Sequence, residues 1–159
     1  MAMEIKLTQG KVAIVDDEDY EWLMGYKWRV KERHNNWYAY GIVDGRDTMM
    51  HRYIMSAEKG VFVDHKSGDG LDNRRSNLRL CTNTQNQQNQ HRVRGVSKYK
   101  GVSWNVKIGK WQVRIRINGK QLYVGYYDSE VEGAMAYDAM AIKLFGPFAC
   151  TNAQLITQS

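Results

Sequence analysis

The 159-residue chain predicts an α+β fold: a small β-rich N-terminal unit, a central strand, loop, strand and helix, and then a three-stranded antiparallel sheet packed on one helix. Three observations predict it. Short apolar runs broken by turn signals fill the first fifty positions. Asn118-Gly119, the strongest short hairpin signal, joins two alternating runs. Ser129, with Glu132 three residues later, opens a helical stretch that stops at Gly146-Pro147.

The elements follow in order. Residues 4–7 and 11–15 flank Gln9-Gly10 and read as a hairpin. An acidic stretch from Asp16 to Glu21 leads into Trp22-Leu23-Met24 and on to expected strands at 27–31, 37–43 and 48–53, with turns at Asn35-Asn36 and Asp44-Gly45. Val61-Phe62-Val63 then enters a polar loop, and a short strand at 77–80 follows. Thr82 and Gln85 have capping-box spacing and open a hydrophilic helix running to Gln90. Residues 91–97 are basic without periodicity and read as a linker between a unit at 1–90 and a module at 98–152. In that module, strands at 101–105, 110–117 and 120–126 precede the Ser129 helix, whose Ala134, Tyr137, Asp138, Ala141 and Phe145 share a stripe.

A hydrophobic content of 43% with 25% charged residues describes a folded globular chain rather than a disordered one. Cys81 and Cys150 lie far apart with no CxxC around them, which excludes a zinc finger and a disulfide framework. No run of eighteen apolar residues occurs and the N-terminus lacks a signal-peptide layout, so no membrane partner and a cytoplasmic setting are expected. The net charge is +6, and its distribution is uneven: residues 61–125 hold thirteen Lys and Arg against three acids, while 1–60 hold nine against ten. A basic middle is the pattern of a surface that tracks phosphates.

Asp64 and His65 follow an apolar strand and bring together two groups that phosphodiester hydrolysis needs: a carboxylate able to hold a hard cation and an imidazole able to take a proton from water near pH 7. Neighbouring strand residues face opposite ways, so both can serve one phosphate only if the strand ends or twists there. Lys66-Ser67-Gly68-Asp69-Gly70 supplies such an ending.

The run Asp64-His65-Lys66-Ser67-Gly68-Asp69-Gly70, with Asp72-Asn73-Arg74, Asn77-Leu78-Arg79 and Asn86, resembles the HNH (ββα-metal, or His-Me finger) endonucleases, notably homing enzymes of phages and introns. His65 to Asn77 is twelve positions and Asn77 to Asn86 is nine, spacings that the family's pattern shares, and the likeness extends upstream to His51-Arg52-Tyr53. The resemblance implies His65 as general base, Asn77 as the residue orienting its ring, and Asp64 and Asn86 as ligands of one Mg2+ or Mn2+ ion. Asn83 and Asn89 lie one helical turn from Asn86 and offer the same group. Asn73, Arg74 and Arg75 sit in the loop, where they can contact phosphates, and His51 and His91 read as structural or phosphate-contacting.

In the C-terminal module Trp111, Val113, Ile115 and Ile117 alternate with Gln112, Arg114, Arg116 and Asn118, so one face seeks the helix and the other carries arginines, joined by Gln121 and Tyr123. Leu122 and Val124 are expected to point inward. Tyr99-Lys100-Gly101-Val102, Gly109-Lys110-Trp111, Arg114-Ile115-Arg116, Val124-Gly125-Tyr126-Tyr127-Asp128 and Ala136-Tyr137-Asp138 resemble the AP-two/ethylene-responsive-factor DNA-binding domain. That resemblance implies DNA contacts at Lys100, Arg114, Arg116 and Tyr123. Ser103 and Asn105 stand where the plant pattern has arginines, so a plant target sequence is not expected, and Trp104 and Trp111 read as core. Arg92 and Arg94 in the linker are further DNA-contact candidates. The sequence therefore points to a DNA endonuclease of homing type acting on double-stranded DNA in the cytoplasm of a cell hosting a phage or mobile element. As a monomer it would nick, and cutting both strands would need a homodimer or a second event; a DNA-binding regulator that does not cut is the alternative.

Overall fold

A computed structural model describes residues 1–89 and 96–156, and the chain divides into two compact units, Met1–Asn86 and Gln87–Ser159. In the first unit, β1 (Ala2–Lys6) and β2 (Val12–Asp16) form the expected antiparallel hairpin. Helix α1 (Asp17–Leu23) follows directly. Its first turn carries Asp17, Glu18 and Asp19, whose charges suit the positive end of the helix dipole. The sequence pattern predicts no helix in this stretch.

A three-stranded antiparallel sheet, β3 (Trp28–Arg33), β4 (Asn36–Val43) and β5 (Arg46–Met49), comes next. The strand expected over 48–53 ends at Met49, and Met50–Ile54 forms the short helix α2. One turn of helix buries Met50, His51 and Ile54, a spacing too brief to separate from strand alternation in sequence. Arg52 holds α2 to the following segment, donating to the carbonyls of Val61, Ala57 and Glu58.

Strands β6 (Phe62–His65) and β7 (Leu78–Cys81) pair antiparallel, and α3 (Asn83–Gln88) follows. The Thr82 cap is built as the sequence predicts: Gln85 N donates to Thr82 Oγ1 at 3.3 Å and Thr82 N donates to Gln85 Oε1 at 2.8 Å. The loop between β6 and β7 is pinned onto β2, because Ile14 N donates to Leu71 O at 2.9 Å and Asn73 N donates to Ile14 O at 2.7 Å. On its other side the loop runs close against β4, which Gly70 permits, since a Cβ there would sit 2.3 Å from Trp37 O. Ile5, Val15, Leu23, Trp28, Ala39, Met50, Val63 and Leu78 share one core, so both site strands rest on the same apolar floor as the N-terminal hairpin.

The second unit contains β8 (Val102–Asn105), β9 (Lys110–Ile117) and β10 (Lys120–Tyr127) in the order β10-β9-β8, all antiparallel. Asn118 and Gly119, with φ of 49° and 79°, close the β9–β10 hairpin in the mirror-image turn that their dipeptide predicts. Helix α4 (Glu130–Phe145) starts at Ser129 with a complete capping box. It packs Ala134, Tyr137 and Ala141 against Val102, Val113 and Ile115. Gly101, at φ +78°, lies so close to α4 that a Cβ would stand 2.1 Å from Tyr137. Asn152, fully buried, closes the unit: it accepts from Lys100 N at 2.7 Å, while its own backbone N donates to the Asp138 carboxylate at 2.7 Å. Among the described residues no helix is long and apolar enough to cross a membrane.

Candidate functional site

Register decides what faces what in the β6–β7 pair. His65 opposes Leu78 and Asp64 opposes Arg79, so the imidazole and the carboxylate leave opposite faces of the ribbon. Strand β6 ends at His65, where Gly68 N donates back to His65 O at 2.9 Å and the chain turns. The ending that the glycine-rich run predicts is present.

The imidazole is buried, 5% exposed, and its neighbours among the described residues include three side chains. His51 meets it at 4.9 Å between ring centroids in an edge arrangement, and Tyr38 at 5.9 Å. The third is Asn73, whose Oδ1 lies 3.3 Å from His65 Nε2. Asn73 Nδ2 donates to Leu71 O at 3.1 Å, which fixes the amide with its oxygen toward the ring. An acceptor at Nε2 selects the tautomer protonated there, which places the basic lone pair on Nδ1. Burial lowers the His65 pKa below its ordinary value, against opposing contributions from Asn73, Asp64, Asp69 and Asp72, so the ring is neutral at pH 7 and able to accept a proton.

This corrects two expectations. Asn77, expected to orient the ring, instead clamps the loop: its Oδ1 accepts from Ser67 N at 2.9 Å and its Nδ2 donates to Asp72 O at 2.7 Å. Asn73, expected among the phosphate contacts, is fully buried and takes the ring-orienting place. The reason is topological, since pinning the loop on β2 turns Asn73 inward while Asn77 closes the loop's two ends.

The neighbouring arginines hold structure as well. Arg74 forms a two-point pair with Asp72, at 2.8 and 2.6 Å, and lowers that carboxyl's pKa. Arg75 pairs with buried Asp19 at 2.8 and 2.7 Å and lies 3.3 Å from Glu18, while its backbone N donates to Asp16. Asp16, Glu18 and Asp19 are the one converging group of three His, Cys, Asp or Glu side chains among the described residues, and Arg75 sits within it. The two arginines expected to grip phosphate therefore bind the loop to itself and to α1.

On the opposite face of the ribbon Asp64 is buried and paired with Arg79, whose Nε and Nη2 reach the same oxygen, Oδ2, at 2.8 and 2.6 Å. Cys81 lies nearby as a neutral thiol, pushed up to about 11 mainly by burial and then by the Asp64 charge. Asn86 is half-buried on α3, and Asn83 on the same helix is exposed. A carboxylate and an amide oxygen are the hard donors that Mg2+ or Mn2+ takes, so the donor chemistry of Asp64 and Asn86 fits such an ion.

In the second unit the face of the sheet away from α4 carries the expected groups. Arg114 and Arg116 are exposed, and the register sets Tyr123 opposite Arg114 and Gln121 opposite Arg116. Gln112 belongs to this face but is buried, because Tyr126 crosses over it and its hydroxyl accepts from Gln112 Nε2 at 3.1 Å and Asn105 Nδ2 at 3.2 Å. Lys100 does not join the face: its ammonium donates to Gln88 O at 2.9 Å, and desolvation lowers its pKa. Trp104 is 44% exposed on the edge strand, and Leu122, on the helix side of the sheet, is 41% exposed, so neither is a core residue. Arg92, Arg94 and His91 lie outside the described residues.

Sequence reasoning missed Asn73 as the ring's partner, His51 and Tyr38 as its walls, and Arg79 as the partner of Asp64. The last was within reach, because any antiparallel register that sets His65 against Leu78 sets Asp64 against Arg79.

Burial also gives the site a pH dependence. The His51 pKa is lowered to about 3 by burial first, then by His65 and Arg52. The unfolded chain takes up that proton near the ordinary value of about 6.5. Below that pH the unfolded state binds more protons than the folded one, so stability falls as pH drops from about 6.5 toward 3. Thermal melts of the full chain should show a falling midpoint between pH 7 and 4.5, with a shallower fall in His51→Gln. Equal slopes would refute the assignment.

Comparison with known proteins falls on both sites. An HNH endonuclease domain matches residues 49–88 and an AP2 domain matches residues 97–147. The chain is 49% identical over 61 residues to an ethylene-responsive transcription factor of Arabidopsis thaliana, covering 37% of this chain and 14% of that protein. It is 48% identical over 61 residues to an AP2-like ethylene-responsive transcription factor of Oryza sativa subsp. japonica, covering 37% of this chain and 10% of that one. A second AP2-like factor of Arabidopsis thaliana is 47% identical over 64 residues, or 39% of this chain and 11% of its own length. The chain thus spans a small part of these relatives, and it combines a likeness to HNH endonucleases with a likeness to AP2 domains.

Proposed function

We propose that the chain is a metal-dependent DNA endonuclease of HNH homing type, in which the first unit cuts and the second selects the site. The observation that carries this reading is the neutral His65 ring, held through Nε2 by Asn73 inside the segment that matches HNH endonucleases. Asp64 and Asn86 would hold one Mg2+ or Mn2+ ion, which when bound would supply positive charge to the phosphate and its leaving oxygen.

The chain's own residues supply the rest of the reaction. His65 Nδ1 takes a proton from water as the water oxygen bonds to phosphorus, and the bond from phosphorus to the leaving sugar oxygen breaks, that oxygen keeping the electron pair and taking a proton from solvent. Asn73 stabilises the imidazolium that forms, by accepting from Nε2–H throughout. Asn77 keeps the loop closed so that Asn73 stays in place. Arg114, Arg116, Gln121 and Tyr123 present donors on a twisted ribbon that suits a major groove, where arginine pairs with guanine and phosphate. Joining the two units by one chain raises the local concentration of the cutting site at DNA. One centre makes one cut, so a monomer nicks, and cutting both strands needs a homodimer or a second event. A second reading, a DNA-binding regulator that does not cut, is favoured by the names of the plant relatives.

Two outcomes separate these readings. His65→Ala should lower Mg2+-dependent nicking of supercoiled plasmid by roughly 100- to 10,000-fold without weakening duplex binding; unchanged cutting would remove His65 from the chemistry. Arg114→Ala should weaken binding to the selected duplex and reduce the slope of log affinity against log salt by about 1 for each phosphate that is no longer neutralised. An unaltered affinity and slope in a filter-binding titration would show that this face does not meet DNA.

A further inference from the structure

Asp64 and Arg79 form a buried ion pair across the two strands of the ribbon. Both side chains are nearly buried, at 7% and 14% exposure, and they stand directly across the strands from each other. Arg79 Nε and Nη2 both donate to Asp64 Oδ2. A buried carboxylate and guanidinium in this geometry neutralise each other, and removing either leaves the other uncompensated.

We infer that Arg79 occupies the cation-binding carboxylate while the protein is free, and that a divalent cation and a DNA phosphate bind there together because Arg79 must leave Asp64 for a new anion. The inference rests on the nuclease reading above. Its physical basis is charge accounting. Arg79 with Asp64 is neutral, and a divalent cation on the same buried carboxylate leaves an excess of two positive charges, with cation and guanidinium repelling each other across it.

Asp72 of the adjoining loop does not relieve that excess, because its charge is met by the two-point pair with Arg74. A phosphodiester brings the missing negative charge and offers the guanidinium the planar oxygen pair that it binds best. Arg79 is thus a positioning residue that makes occupation of the cation site conditional on DNA.

Calorimetry of Mn2+ binding to the full chain tests this, with and without a short duplex, in a His65→Ala background so that the duplex is not consumed. The expected result is that Mn2+ binds at least tenfold tighter with duplex than without, that Arg79→Gln binds Mn2+ alone at least tenfold tighter than its parent and loses most of the duplex effect, and that Asp64→Asn loses Mn2+ binding. If Asp64→Asn abolishes binding while Arg79→Gln leaves it unchanged, Arg79 does not gate the site and only this inference falls. If Asp64→Asn binds Mn2+ as well as its parent, the cation assignment fails and the inference falls with it. Should Arg79→Gln not fold, the Arg79 Nε–Hε resonance of the His65→Ala chain decides: it must shift when Mg2+ and duplex are added together and stay in place with Mg2+ alone. A resonance unmoved by both together overturns the proposal.

Discussion

The first unit's site depends on the two backbone hydrogen bonds that pin the 66–77 loop to β2. Ile14 donates to Leu71 and accepts from Asn73, and a single strand residue thereby sets the height and direction of the loop over the β6–β7 ribbon. Everything the imidazole needs follows from that contact. Asn73 turns inward, its amide is locked by Leu71 O, and its oxygen meets Nε2. The remaining polar groups of the loop serve the same end. Asn77 ties Ser67 to Asp72, Arg74 closes on Asp72, and Arg75 reaches across to α1. A buried polar network of this kind is stable only when its members are satisfied, which is why so many side chains that look exposed in sequence are spent inside the unit.

Two strategies for charge coexist on one short ribbon. On the core side, burial lowers the pKa of both His51 and His65, and for His65 it outweighs the opposing pull of Asn73 and the nearby carboxylates. On the other side Asp64 keeps its charge by pairing with Arg79. Adjacent residues on a strand that ends at once provide both environments within one peptide bond. The second unit uses charge differently: its arginines stay exposed on a sheet whose opposite face is sealed by α4, a division suited to a surface that meets a polyanion.

Much of the architecture was legible in sequence where the signal was local. The Ser129 and Thr82 capping boxes, the Asn118-Gly119 turn and the alternation along β9 each appear as read. What escaped depends on contacts between distant segments. One turn of helix at Met50–Ile54 looks like strand because its burial comes from β4 and β6 rather than from its own period. The exchange of roles between Asn73 and Asn77 follows from a loop pinned to a strand nearly sixty residues earlier, which spacing along the chain does not encode. Alternation or resemblance puts Lys100 and Gln112 on the DNA-facing surface, and each is withdrawn by a partner that alternation does not show, the Gln88 carbonyl and the Tyr126 hydroxyl.

If His65 is the base, Asn73 rather than Asn77 is the residue that prepares it. The most direct measurement is the initial rate of supercoiled-plasmid nicking with Mg2+ by the purified full chain and by Asn73→Ala. The expected result is a wild-type chain that relaxes the plasmid and a folded variant at least tenfold slower. A wild-type chain that leaves the plasmid intact with either Mg2+ or Mn2+, or a variant that nicks at the wild-type rate, would contradict it.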